Sequence, residues 1–139
     1  MSDDNLYGEE HVRVYRETDG ERGYDWKNGT KILLLTTKGR RSGEEHTTPL
    51  IHQADDGRFV VVASQGGAPD HPNWFKNLEA NPDDVEIQVK AEQIPVLASV
   101  AEGEERDRLW KLMTEVWPDY DQYQERTDRE IPVVVLERR

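Results

Sequence analysis

Lys31-Ile32-Leu33-Leu34-Leu35-Thr36-Thr37, the turn Lys38-Gly39-Arg40-Arg41-Ser42-Gly43, and then His46-Thr47-Thr48-Pro49-Leu50-Ile51 form the stretch that decides the fold of this chain. Two runs of β-favouring residues flank a polar, glycine-bounded turn, which is the pattern of a β-hairpin. A third strand follows over 58–64, carrying Phe59-Val60-Val61-Val62-Ala63, after the short hairpin turn Ala54-Asp55-Asp56-Gly57. The 31–64 region has no room for a crossover helix, so a parallel doubly wound sheet is excluded.

Working outward, Val85, Ile87 and Val89 alternate with polar residues, and Ile94, Val96, Ala98 and Val100 repeat the alternation after a tight turn at Ala91-Glu92. Ile131 to Leu136 closes the chain as a last strand. Between these strands, Asp70-His71-Pro72 opens a short helix carrying Trp74, Phe75 and Leu78, which Asn81-Pro82 stops. A longer helix near 103–117 places Leu109, Leu112, Met113 and Val116 at helical spacing. Residues 1–30 read as a polar extension, weakly helical around His11 to Tyr15, and 1–139 as a single domain. Six strands joined by short turns, with helices inserted late, predict a mainly β, α+β fold: an antiparallel six-stranded barrel with flanking helices.

The chain has 139 residues, a formal net charge of -11 and 34% charged residues. Such acidity argues against nucleic acid as a partner, since binding it requires a dominant basic face. No apolar run reaches the length of a membrane span, and the start, Met1-Ser2-Asp3-Asp4-Asn5, is acidic rather than signal-like, so a cytoplasmic location is expected. The absence of cysteine removes disulfides and thiolate chemistry. His11, His46, His52 and His71 show no metal-ligand spacing, so no metal is expected. The dinucleotide fingerprint and the P-loop are missing, and Ser64 lacks a nucleophile-elbow setting.

Four features carry chemical interest. Lys38, Arg40 and Arg41 put three positive charges into four residues of an acidic chain, which suits an anionic ligand, although a hairpin tip is polar for simpler reasons. Ala63-Ser64-Gln65-Gly66-Gly67 is a glycine loop leading towards a helix, able to offer unpaired N–H groups. The helix from Asn73 to Asn77 and the cluster Trp117, Tyr120 and Tyr123 supply flat aromatic walls. Read singly, each has a plain structural use: Trp74 and Phe75 as core, Tyr120 and Tyr123 as a barrel plug, Gly66-Gly67 as a turn.

Together and in this order, the segments resemble the deazaflavin (coenzyme F420)-dependent nitroreductase and quinone reductase family. The motifs are Thr-Thr-x-Gly-Arg-x-Ser-Gly from Thr36, the Pro49-Leu50 pair, Ala63-Ser64, Gly66-Gly67, Pro72-x-Trp74-x-x-Asn77-Leu78, and Tyr120-x-x-Tyr123-Gln124-x-x-Thr127-Asp128-Arg129. The resemblance implies a split β-barrel of the FMN-binding split-barrel type. It also implies hydride transfer from reduced F420, an 8-hydroxy-5-deazaflavin with a phospholactyl-oligoglutamate tail, to a quinone or nitroaromatic acceptor. By the same resemblance Arg40, Arg41 and Ser42 hold the tail phosphate, and Lys38 steers the glutamates. His46 stands where relatives often carry Arg, which weakens that tail contact or makes it depend on pH. Thr47, Thr48, Pro49, Leu50 and Ile51 run beside the cofactor. Val62, Ala63, Ser64 and Gln65 border its ring, and Asn73, Trp74, Phe75, Lys76 and Asn77 close the site. Tyr120 orients the acceptor or delivers a proton, and Ser64 hydrogen-bonds the acceptor oxygen. Trp74, Trp117 and Tyr123 line the acceptor cavity, while Trp26 and Trp110 are expected to lie away from it. Ile51 and Trp117 replace tyrosines of the best-known relatives, and Phe75 also lacks a hydroxyl, which bears on the choice of acceptor. A non-catalytic deazaflavin carrier and an FMN-binding oxidoreductase are the alternatives. A homodimer and peripheral membrane association are left open.

Overall fold

The computed structural model describes residues 5–139; the acidic start Met1–Asp4 lies outside the described residues. Seven strands and four α-helices follow in the order α1 (Gly8–Glu17), β1 (Asp25–Trp26), β2 (Thr30–Lys38), β3 (Glu45–Asp55), β4 (Arg58–Val62), α2 (Asn73–Ala80), β5 (Val85–Val89), β6 (Glu92–Val100), α3 (Gly103–Val116), α4 (Asp119–Glu125) and β7 (Val133–Arg138). All pairings are antiparallel, in the order β1-β2-β3-β4-β7-β6-β5, and β5 pairs back onto β2. Six strands therefore close a barrel, and β1 is an added two-residue strand beside β2.

The continuous apolar run of β2 has a simple cause. Leu33 and Leu35 point into the barrel, while Ile32 and Leu34 point outward against Val12 and Tyr15 of α1. A strand covered on both faces needs no polar alternation. β4 and β7 are built the same way: Val61, Val134 and Leu136 face inward, whereas Val60, Val62, Val133 and Val135 face Leu109, Met113 and Tyr120 of α3 and α4. β5 and β6 keep the alternation, with Val85, Ile87, Ile94, Val96 and Ala98 inside. Trp74, Phe75 and Leu78 of α2 join the interior cluster and fill the barrel from one end. Tyr15 fixes α1 to the wall: its hydroxyl lies 3.0 Å from the Ile32 carbonyl and accepts the Lys90 N–H at 2.7 Å. Burial pushes this phenol up to about 12.

Several boundaries differ from the expectation. The third strand ends at Val62, because the chain turns at Ser64 into a short 3-10 turn at Gln65–Gly67. The turn placed at Ala91-Glu92 falls one residue earlier: Val89 pairs with Glu92, leaving Lys90 and Ala91 at the tip, with Lys90 at φ 55. Residues 119–125, read only as an aromatic segment, form α4. The turn at Asp56-Gly57 is the expected two-residue hairpin, with both residues at positive φ (52 and 80) and Asp55 opposite Arg58.

β3 is longer than its neighbour requires. It pairs with β2 along Glu45 to His52, yet with β4 only through Gln53, Ala54 and Asp55. Beyond that point β4 turns to β7, where Val62 pairs with Val133. The barrel is thus split between β3 and β4, and residues 47–51 present an open edge.

Candidate functional site

Two adjoining cavities occupy this split and share Thr48 and Trp74. The first, a mostly apolar chamber of about 530 Å³, is floored by Thr48, Pro49, Leu50 and Ile51 of β3 and by Val62, Ser64, Gln65 and Gly66 at the end of β4. Trp117, Tyr120 and Tyr123 form one side wall, and Pro72 and Trp74 another. The second is a polar cleft of about 720 Å³ around Gly39, Arg40, Arg41, Ser42, His46 and Thr47, with Asn73 and Asn77 opposite.

The cleft is shaped by its turn. The Gly39 N–H donates to the Glu44 carbonyl at 2.8 Å, and the Gly43 N–H to the Gly39 carbonyl at 2.9 Å. A Cβ at Gly39 would lie 2.6 Å from the Ser42 hydroxyl and 3.0 Å from His46 Nε2, so a side chain there would displace both from the cleft. Asn77 Oδ1 accepts both the Arg40 N–H (3.2 Å) and Arg40 Nη1 (2.8 Å), tying the turn to α2. Arg41 has no hydrogen-bond or ion-pair partner among the described residues and is exposed. Arg16 of α1 donates to Thr47 Oγ1 at 2.9 Å. Glu9 and Glu45 also line the cleft, so its cationic side faces an acidic rim.

Lys38 is not part of this group. It pairs with Asp84 at 3.3 Å and lines a separate small depression with Thr36, Glu86 and Arg139. Phe75 turns inward to the core and packs against His71, with ring centroids 4.8 Å apart, and Lys76 lines neither cavity. Ala63 is fully buried inside the barrel and meets the chamber only through its neighbours. The other residues expected at the site, from Arg40 to Asn77 and Trp117 to Tyr123, line one or both cavities.

Tyr120 is 5% exposed, between Trp110 and Tyr123, and its hydroxyl has no hydrogen-bond partner among the described residues. Desolvation, with the neighbouring Tyr123 adding to it, raises its pKa well above the ordinary tyrosine value. It is therefore a protonated donor throughout the neutral range. Ser64 is also buried, with its carbonyl engaged by Arg129 and Gly67.

The wall of the chamber beside Trp117 comes from the N-terminal extension. Tyr7, Gly8, His11 and Trp26 line it, and Trp26 stacks on Trp117 with centroids 6.1 Å apart and planes at 23°. Trp26 thus lines the chamber, and Trp110 alone among the four tryptophans lines neither cavity. His11 is buried with Nε2 2.8 Å from the Gly23 carbonyl. Tyr7 and Lys27 meet through a hydrogen bond, and the Lys27 ammonium lies 5.0 Å from the Trp26 ring centroid. The sequence signal for this wall is the recurrence of aromatic residues, Tyr7 and Trp26 among them, in an otherwise polar stretch.

The site suits a long, two-part ligand: a flat ring in the chamber and an anionic extension in the cleft. The N–H groups of Ser64, Gln65 and Gly66 have no partner among the described residues, which fits a ring bearing carbonyl oxygens.

Fold and site together define a split-barrel oxidoreductase. A family model described as F420H(2)-dependent quinone reductase matches residues 7–138, and the chain belongs to that family. An F420H(2)-dependent quinone reductase of Mycobacterium tuberculosis (strain ATCC 25618 / H37Rv) is 41% identical over 132 residues, covering 93% of this chain and 88% of the relative. Among solved structures, an F420-H2 dependent reductase (FDR-A) superposes with a TM-score of 0.70 at 44% identity, covering 76% of this chain and 93% of the other. A domain-swapped dimer superposes at 0.73 and 40% identity, covering 91% and 96%. The chain is accordingly an F420-dependent reductase, with coenzyme F420 as its cofactor.

Proposed function

We propose that the protein reduces a quinone-type acceptor in the Trp-lined chamber, with the cofactor's tail held in the arginine cleft. The observation that supports this most is the junction of the two cavities at Thr48 and Trp74. F420, when bound, supplies the hydride, and the chain's residues supply position, dryness and a proton. Arg40, preset by Asn77, and the unpaired Arg41 offer planar donors to the tail phosphate, with Ser42 and His46 beside them. Ser64 and Gln65 border the ring. Tyr120 donates a proton or hydrogen bond to the acceptor oxygen; its raised pKa keeps that proton available at neutral pH. The Trp26–Trp117 pair forms a flat, apolar wall that favours a planar ring.

Phe75 lies in the core, and Ile51 and Trp117 bring no hydroxyl to the wall, so Tyr120 and Tyr123 are the phenols of that side. This composition favours quinones over nitro compounds as the working acceptors. No helix among the described residues is long and apolar enough to cross a membrane. We place 1–139 in one catalytic unit that pairs as a homodimer, by analogy with the domain-swapped relative.

The test is oxidation of reduced F420 with menadione and with a nitroaromatic. Turnover with the quinone supports the proposal. Tight F420 binding without turnover on any acceptor indicates a carrier, and a purified protein showing an FMN spectrum indicates the FMN alternative.

A further inference from the structure

Arg129 lies between α4 and β7, half-buried and outside both cavities, yet it makes three hydrogen bonds to the loop that follows β4 and a fourth contact to His71. Nη2 donates to the Ser64 carbonyl at 2.7 Å, Nη1 to the Ala63 carbonyl at 3.2 Å, and Nε to the Ala68 carbonyl at 2.9 Å. Nη1 also lies 2.9 Å from His71 Nδ1. A guanidinium has no acceptor, so His71 Nδ1 must be unprotonated and accept this bond.

The segment needs such support. Gln65, Gly66 and Gly67 all have positive φ (44, 64 and 84), and for Gln65 this is a strained conformation. Gly67 is packed so closely on α4 that a Cβ would lie 2.5 Å from the Tyr123 carbonyl oxygen. In a trans peptide the C=O and the following N–H point in opposite directions. Drawing the carbonyls of Ala63 and Ser64 towards Arg129 therefore turns the N–H groups of Ser64 and Gln65 away from it. Ser64 and Gln65 line the chamber, and these N–H groups have no other partner among the described residues.

We infer that Arg129, braced by His71, is a positioning residue that presents the Ser64 and Gln65 amides to the carbonyl edge of the cofactor ring. The inference rests on the F420 reading for the identity of that ring, but the brace itself does not. It also makes the site sensitive to pH. A proton on His71 Nδ1 would remove the acceptor and set a second cation against Arg129. The charged groups acting on His71 are Arg129 from the segment before β7, Lys76 and Glu79 from α2, and Asp70 beside it; Phe75 packs on its ring. Burial and then Arg129 lower its pKa from the ordinary 6.5, in keeping with a ring held neutral. The brace is complete above pH 6.5 and is lost as pH falls through the lowered folded-state value.

The test has two arms. In cofactor-free protein, the amide NMR shifts of Ser64 to Gly67 should titrate with the same midpoint as the His71 ring, and should stand still in His71→Asn, whose Oδ1 keeps an acceptor. Shifts that ignore the His71 titration would overturn the brace. In the second arm, a tailless deazaflavin riboside is titrated by tryptophan fluorescence. Arg129→Lys, checked by its melting curve to be folded, should bind it about 10-fold or more weakly, since an ammonium cannot span three carbonyls. The wild type should lose affinity on the acid side and His71→Asn should not. Binding by Arg129→Lys within about 2-fold of wild type would overturn the positioning role. A wild type that binds no deazaflavin would instead remove the F420 reading and the ligand half of the inference, with the first arm still deciding the brace.

Discussion

At the scale of single residues, two buried titratable groups show how this fold treats polarity. Tyr120 is held protonated, and as the proposed proton donor it should matter for turnover more than for cofactor affinity. Tyr120→Phe is expected to lower kcat by roughly 10²-fold, the low end for general acid catalysis, while F420 affinity by fluorescence titration changes little. His52 is a different case. It sits on β3, on the face shared with Leu50, between Tyr24 and Phe59, 5% exposed, with Nδ1 unpartnered. Burial lowers its pKa from 6.5 to about 4, so the neutral ring stabilises the fold above pH 6.5, and that contribution fades as pH falls towards 4. The full difference is about 3 kcal/mol, taking ~1.4 kcal/mol per pKa unit. Denaturant melts between pH 7 and pH 4 should therefore show a loss that His52→Phe largely removes. Neither environment was visible in the sequence, because both depend on partners distant along the chain.

At the scale of elements, the barrel strands were legible because burial follows directly from their patterns. The alternation of β5 and β6 and the unbroken apolar run of β2 each have one structural solution in a barrel with a helix outside. α4 was not legible. It has seven residues, and its place is fixed by contact with Gly67 and by the Trp117 side chain rather than by its own periodicity. The N-terminal wall was missed for the same reason: Trp26 reaches the chamber by stacking on Trp117, far away in sequence. Arg129 was quoted within a motif, but its acceptors are backbone carbonyls 61 to 66 residues earlier, which no side-chain pattern reports. Two outcomes belong here. Gly67→Ala should distort the loop against α4 and lower stability by about 1–3 kcal/mol in chemical denaturation, with loss of cofactor binding. Trp26→Ala should raise the quinone KM several-fold with a smaller effect on F420 affinity, since it removes part of the apolar wall proposed to hold the acceptor.

At the scale of the whole molecule, we propose that an acidic chain binds an acidic cofactor through a local cluster of positive charge in one turn. The net charge of -11 opposes an anion at long range, and Arg40 and Arg41 offset this locally on one side of the cleft. Much of that division was readable at the outset: the turn stands out in charge, and the aromatic residues cluster late. The sequence did not reveal that β3 and β4 part after Gln53, the event that joins cleft and chamber, because register is a property of pairs. The joined site makes a sharp claim: the turn recognises the tail and the chamber recognises the ring. The most direct measurement is to titrate F420 and its tailless riboside into the wild type and the Arg40→Glu/Arg41→Glu double variant. Affinity for F420 should fall by about 100-fold or more while the riboside binds both proteins alike; equal affinity of the two proteins for F420 would contradict the account.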